Sequence, residues 1–166
     1  CLLLILFGGT LIVIASFIPI KPTGKYPLAF SILIRVVDSL VYFANGKVDV
    51  TDHDRLNQFS GFLVANHVSY LDILVLYEAV PARFLAKHKI RFWPVVGQVA
   101  HAIGCVFVKR GSKDSRKQAR ETMKNIPLFP PIIVFPEGTR GPGDALLPFR
   151  YGVFEIAVAS ETLMLP

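Results

Sequence analysis

Apolar side chains are unevenly distributed along the chain, and their spacing changes character three times. Residues 1–20 carry no charged side chain. As a helix rising about 1.5 Å per residue, they would span roughly the 30 Å of a bilayer core, so the run predicts a membrane-associated helix ended by Pro19 and Pro22. A secretory signal is the competing reading, but no basic region precedes the run and no small-residue cleavage site follows it. Lys21 and Lys25 come next, and the positive-inside rule then puts the rest of the chain in the cytoplasm. From Tyr26 to Ala44, Leu28, Ile32, Val36 and Leu40, with Leu33 and Val37 beside them, form a stripe at helical period. Arg35 and Asp38 interrupt it, three residues apart and able to pair. A helix lying in the membrane interface or folded back beside the first fits this pattern, with a buried helix of the globular domain as the alternative. Asn45-Gly46 predicts a turn, and residues 49–58 a polar, exposed stretch.

Beyond residue 60, short apolar runs alternate with amphipathic ones. Phe62–Ala65, Arg83–Ala86, Cys105–Val108 and Ile132–Phe135 predict buried strands; stretches near 70–79, 92–103, 112–125 and 150–160 predict helices. Such alternation argues for an α/β fold, a mostly parallel sheet flanked by helices, preceded by the N-terminal membrane-associated segment. The expected division is 1–44 for membrane-anchoring helices and 45–166 for the α/β domain. Ligands of such sheets bind beyond the carboxyl ends of the strands.

At 166 residues the chain has material for one domain with a real core. It opens on Cys1 rather than Met and reads as a piece of a longer protein. Cys1 and Cys105 are too few for a disulfide framework and lack metal-ligand spacing, which makes a reduced compartment the default. The formal charge of +6 points to an anionic partner: nucleic acid, a phospholipid surface or a phosphorylated small molecule. Eleven of the 18 basic residues fall between Arg83 and Lys124, against Asp114 and Glu121 alone. Lys113, Arg116, Lys117, Arg120 and Lys124 cover most of the helix predicted after Ser112, leaving Ala119, Met123 and Ile126 as its inner face. Either this is a solvated helix face, or it attracts lipid headgroups or the phosphates of a soluble donor. Nucleic acid fits poorly, because no base-reading motif is present.

Two stretches carry candidate chemistry. In Asn66-His67-Val68-Ser69-Tyr70-Leu71-Asp72 a histidine and a carboxylate stand five apart where a strand gives way to a helix. A carboxylate on one imidazole nitrogen fixes the tautomer and supports the charge that forms when the other takes a proton. Ser69-x-x-Asp72 is equally a capping-box-like pattern, so Asp72 could serve only the helix start. In Phe135-Pro136-Glu137-Gly138-Thr139-Arg140, Pro136 fixes the backbone leaving a strand, Gly138 permits positive φ or close ligand approach, and Arg140 offers a planar fork for phosphate. A Pro-Glu-Gly turn with an exposed arginine is common without function. Both stretches follow strands and could face one crevice.

Together these two stretches resemble the His-x-x-x-x-Asp and Phe-Pro-Glu-Gly-Thr-Arg blocks of the glycerolipid acyltransferases, in the same order and separation. Gly104-Cys105-Val106-Phe107-Val108-Lys109-Arg110 resembles the family's second block, and Lys87, Pro94 and Gly97 the segment before it. Pro148-Phe149-Arg150-Tyr151-Gly152 resembles its Pro-Phe-Lys-x-Gly element with arginine for lysine, and Lys89 stands where an acidic residue is common. The resemblance covers residues 60–166, and the family's fourth block would begin near Leu165-Pro166. Members acting on 1-acyl-glycerol-3-phosphate are the nearest likeness. The resemblance implies a membrane enzyme transferring a fatty acyl group from acyl-CoA or acyl carrier protein to the free hydroxyl of a lysophospholipid, with no metal or further cofactor. It implies His67 as base and Asp72 as its partner. Arg110, Glu137, Gly138, Thr139 and Arg140 would bind the acceptor, and Cys105 would be a packing residue. A sister enzyme with another acceptor, an esterase and a lipid-binding protein remain as alternatives, although no Gly-x-Ser-x-Gly elbow is present.

Overall fold

The structure, a computed structural model, describes Thr10, residues 26–109, Lys117 and residues 121–166. The helix expected over 1–20, together with Lys21 and Lys25, lies outside the described residues, as do Arg110 and most of the basic helix near 112–125. Among the described residues no helix is long and apolar enough to cross a membrane.

Five parallel strands form the sheet: β1 (Phe62–Val64), β2 (Arg83–Lys87), β3 (Val106–Val108), β4 (Ile132–Val134) and β5 (Met164–Leu165), in the order β3-β2-β4-β1-β5. The first four are the predicted strands, each within two residues at either end. Their side chains alternate between two cores, as the two-residue period of a strand requires. Leu63, Phe84 and Ile133 join one cluster; Phe62, Val106, Ile132 and Val134 join the other. Phe62, Ile132 and Ile133 are wholly inaccessible, and side chains of this size stabilise a fold by about 1.5–3 kcal/mol each on burial.

Helices cover both faces. On the first lie α1 (Leu28–Phe43), α3 (Leu71–Ala79) and α4 (Val96–Ala102), with the short α2 (His53–Gln58) leading into β1; on the second lie α5 (Gly152–Ala159) and the helical residues 121–125. Met123 is buried there as the predicted inner face requires, while Lys124 pairs with Glu121 at the surface. α1 follows Pro27 and stops where Asn45 adopts the left-handed conformation at φ 51°, and Gly46 N–H donates to the Val41 carbonyl at 2.9 Å. Ala29, Phe30 and Val37 of α1 share the core of Tyr77, Phe84 and Ile133, so this helix packs into the α/β body, across the boundary expected at residue 44.

Two charged residues depart from expectation. Asp38 does not pair with Arg35: it lies beside Glu78 of α3, and burial, followed by the Asp38 carboxyl, pushes the Glu78 carboxyl upward. Arg83 contributes nothing to a surface field. It is 6% exposed and donates to the carbonyls of Pro127 and Pro130 instead.

Candidate active site

Because β1 and β4 are adjacent, parallel and in register (Val64 opposite Val134), the segments leaving them emerge side by side at one edge of the sheet. Those segments are the two stretches singled out above. His67 stands three residues beyond β1 and packs its ring on Phe135, one residue beyond β4, with centroids 4.2 Å apart and planes 19° from parallel. α3 begins at Leu71, which turns Asp72 back toward the strand end. Its Oδ2 accepts from His67 Nδ1 at 2.8 Å, Val68 N–H at 2.7 Å and Ser69 N–H at 2.9 Å. The catalytic and capping roles open at the sequence level are therefore compatible in one oxygen. Ser69 Oγ adds the helix-start contact, accepting from Leu71 N–H at 3.2 Å.

The electrostatics follow from this geometry. Burial by itself would raise the Asp72 carboxyl, but the Ser69 N–H, the His67 ring, the Val68 N–H and the charge His67 can carry together hold it below its ordinary value. A carboxylate at Nδ1 requires the proton on that nitrogen, so Nε2 carries the lone pair, and it has no hydrogen-bond partner among the described residues. That is the arrangement of a general base.

The second stretch closes around the first. Glu137, 3% exposed, accepts from His67 N–H through Oε1 at 2.9 Å and from Leu147 N–H through Oε2 at 2.9 Å. Gly141 N–H donates to the His67 carbonyl at 2.6 Å. The backbone of His67 is thus held at both polar groups. A Cβ at Gly141 would lie 2.9 Å from Glu137 Oε2 and press on the carboxylate that holds His67. Gly138 has the anticipated positive φ of 71°, but its N–H donates to the Phe135 carbonyl at 2.9 Å inside the turn.

These contacts redistribute the roles expected of the acceptor-binding set. Glu137 is buried with each oxygen accepting from a backbone amide, and the Gly138 N–H is taken up inside its turn. Thr139 and Arg140 are exposed at the mouth, with the Arg140 guanidinium 4.1 Å from the centroid of the Tyr70 ring. Arg110 lies outside the described residues. Three contributors escaped the sequence reading. Phe135 stacks on the His67 ring, Tyr70 carries Arg140, and Leu147 supplies the second amide to Glu137. Phe135 could have been found, because its place one residue past a strand next to β1 puts it beside His67. Leu147 carries no signal of this kind.

Cys105 behaves as a core residue. Its Sγ accepts from Phe84 N–H at 3.3 Å, and burial pushes the thiol up to about 12, against opposing effects from the Phe84 amide and Arg83. The thiol is therefore protonated at neutral pH and is no nucleophile there. In the folded chain Cys105 is expected to resist iodoacetamide at pH 8 and to react on unfolding, as read by mass spectrometry of the peptide containing it. Rapid native-state labelling would contradict this environment.

The family model described as Acyltransferase matches residues 47–166. The chain belongs to the acyltransferase family. Relatives include a lyso-ornithine lipid O-acyltransferase of Pseudomonas aeruginosa, 35% identical over 103 residues, covering 62% of this chain and 40% of that protein. A 1-acyl-sn-glycerol-3-phosphate acyltransferase of Neisseria gonorrhoeae is 37% identical over 101 residues, covering 60% and 40%. The human 1-acyl-sn-glycerol-3-phosphate acyltransferase beta is 30% identical over 155 residues, covering 86% and 53%. This acyltransferase chain thus spans between two fifths and about half of the length of these relatives. The crystal structure of the 1-acyl-sn-glycerophosphate acyltransferase of Thermotoga maritima superposes with a TM-score of 0.74 at 27% identity, covering 99% of this chain and 67% of that one.

Proposed function

We propose that the chain carries the catalytic site of a membrane-bound O-acyltransferase that moves a fatty acyl group from a thioester donor to the free hydroxyl of 1-acyl-glycerol-3-phosphate, giving phosphatidic acid. The observation that carries this reading is the Asp72–His67 pair, bonded at 2.8 Å and with Nε2 open, held at the end of a parallel strand. His67 Nε2 takes the proton of the acceptor hydroxyl as its oxygen attacks the thioester carbonyl. The tetrahedral intermediate then collapses with cleavage of the C–S bond, and the imidazolium returns the proton to the departing thiolate. The hydroxyl is itself the nucleophile, so no acyl-enzyme is needed, in keeping with the protonated Cys105. Asp72 orients the ring and offsets its transient charge. Acyl-CoA or acyl carrier protein supplies the acyl group as a substrate. Glu137 and Gly141 position His67; Arg140, at the mouth, is the group that meets the acceptor's phosphate, with Thr139 beside it and Arg110 as a further phosphate contact.

Arg140→Ala is expected to raise the apparent KM for a phosphorylated acceptor by roughly 10- to 100-fold with a smaller change in kcat, because a charge-assisted phosphate contact exists before the chemical step. Unchanged steady-state constants would remove Arg140 from the site. A second reading concerns the acceptor only. A relative named for a lyso-ornithine lipid matches at 35%, close to the 37% of the relative named for 1-acyl-sn-glycerol-3-phosphate. A panel of lyso-acceptors with a single acyl-CoA, following released coenzyme A, tests both. Release that depends on 1-acyl-glycerol-3-phosphate supports the main reading; release with lyso-ornithine lipid alone supports the second; release without any acceptor makes the protein a thioesterase.

A further inference from the structure

β2 runs parallel to β1 and β4, so the segment after it emerges at the same sheet edge as His67. That segment is the 3-10 helix His88–Phe92, followed by an abrupt turn into α4. In the turn, Val95 has φ 60° and ψ −58°, and Val96 N–H donates to the Pro94 carbonyl at 2.6 Å. This is a γ-turn of the positive-φ kind at a β-branched residue, a conformation that costs on the order of 1–3 kcal/mol and persists only where its surroundings impose it. Two flanking hydrogen bonds fix it, from Trp93 N–H to the Ile90 carbonyl at 3.0 Å and from Gly97 N–H to the Trp93 carbonyl at 2.9 Å.

The turn directs apolar groups outward. Phe92 is 73% exposed and Trp93 45%, with Val96 beside them. Across the site mouth Tyr70 and Leu71 are also exposed, and the Tyr70 ring lies 6.4 Å from that of Trp93. Tyr70, Leu71, Phe92, Trp93 and Val96 thus gather as a group of exposed apolar side chains beside the site, the kind of grouping that marks an interaction surface. Lys89 and Arg91 are exposed on the 3-10 helix, and Arg140 caps Tyr70. Asp72, next to Leu71 in the chain, is engaged by His67 and two amides.

Tryptophan and tyrosine favour the headgroup boundary of a bilayer, and lysine and arginine extend their cationic ends to anionic headgroups. We propose that Tyr70, Leu71, Phe92, Trp93 and Val96, with Lys89 and Arg91, dock the catalytic body on an anionic phospholipid surface with the site mouth against the lipid. The benefit to turnover rests on the acyltransferase reading above; the docking itself does not.

Trp93 is the only tryptophan in the chain, which makes it a native reporter of this face. The full chain would be mixed with vesicles of phosphatidylcholine and phosphatidylglycerol, with and without brominated acyl chains. Trp93 emission is expected to shift to the blue, to be quenched by bromine, and to become severalfold less accessible to acrylamide. Lys89→Gln with Arg91→Gln should raise the lipid concentration for half the shift by about fivefold per charge removed. Phe92→Ser with Val96→Ser should abolish the shift without altering the emission of the lipid-free protein. Trp93 remaining open to acrylamide, whether or not the chain sediments with the vesicles, would overturn the proposal. So would a blue shift that grows with protein concentration without lipid, which marks contact between two copies. Coenzyme A release with a short-chain, water-soluble acceptor separates the two ideas: transfer without docking removes this surface alone, and docking without transfer removes the enzymatic reading alone.

Discussion

Asp72→Asn is expected to lower kcat for acyl transfer by about 100- to 10,000-fold while leaving KM and the fold nearly unchanged. Three donors converge on Asp72 Oδ2: the His67 ring and the amides of Val68 and Ser69. The asparagine carbonyl oxygen can occupy that position and keep all three bonds, whereas its NH2 group there would face donors only. The loop and the start of α3 therefore survive, and what disappears is the negative charge that supports the imidazolium. The wild-type chain also has a pH dependence with a definite sign. The folded Asp72 carboxyl is lowered relative to the unfolded chain, so its contribution to stability is complete above about pH 4 and is lost as pH falls through the lowered folded value. Steady-state kinetics beside thermal unfolding read both effects. A kcat within tenfold of wild type would leave Asp72 as a helix-start residue only.

Glu137→Ala should be the most destabilising change at the site. It removes the acceptor of the part-buried amides of His67, 70 residues away in sequence, and Leu147, 10 residues away. Leaving a fully buried donor unpaired costs about 1–3 kcal/mol, so roughly 2–6 kcal/mol is the upper bound for this part-buried pair. At about 2–4 °C per kcal/mol for a chain of this size, Tm is expected to fall by several degrees. The same change frees the backbone of the base, so kcat should fall as well, with a small effect on KM. Glu137→Gln keeps one acceptor oxygen and is expected to fall between the two. A large rise in acceptor KM with unchanged Tm would instead make Glu137 a ligand-binding group.

The parts of this architecture visible in the sequence are those with a local cause. Buried strands read as Phe-Leu-Val or Ile-Ile-Val because both faces of a covered parallel sheet are apolar. Asn45-Gly46 read as a turn because left-handed backbone selects those residues. Other features depend on tertiary context. β5 is two residues long and gains its identity by pairing with β1. α2, His53–Gln58, buries no residue and shows no apolar period. The helix anticipated from residue 92 starts at Val96, because the γ-turn at Val95 breaks the segment. At the site, the five-residue spacing of His67 and Asp72 predicts their contact, since a strand-to-helix corner brings the two together locally, but by itself it left capping and catalysis open. Glu137 was not legible as a positioning group, because its partners come from the segment after β1 and from the loop at Leu147 rather than from its own turn. Arg83 was misleading in composition: counted with the basic field, it lies inside, bonded to two carbonyls.

The central claim is that His67 removes the acceptor's proton. The direct measurement is coenzyme A release from acyl-CoA, dependent on added lyso-acceptor, by the His67→Gln chain, with circular dichroism and Tm matched to wild type. The account predicts that acceptor-dependent release falls by at least about 100-fold. Turnover within tenfold of wild type by the folded variant would contradict it.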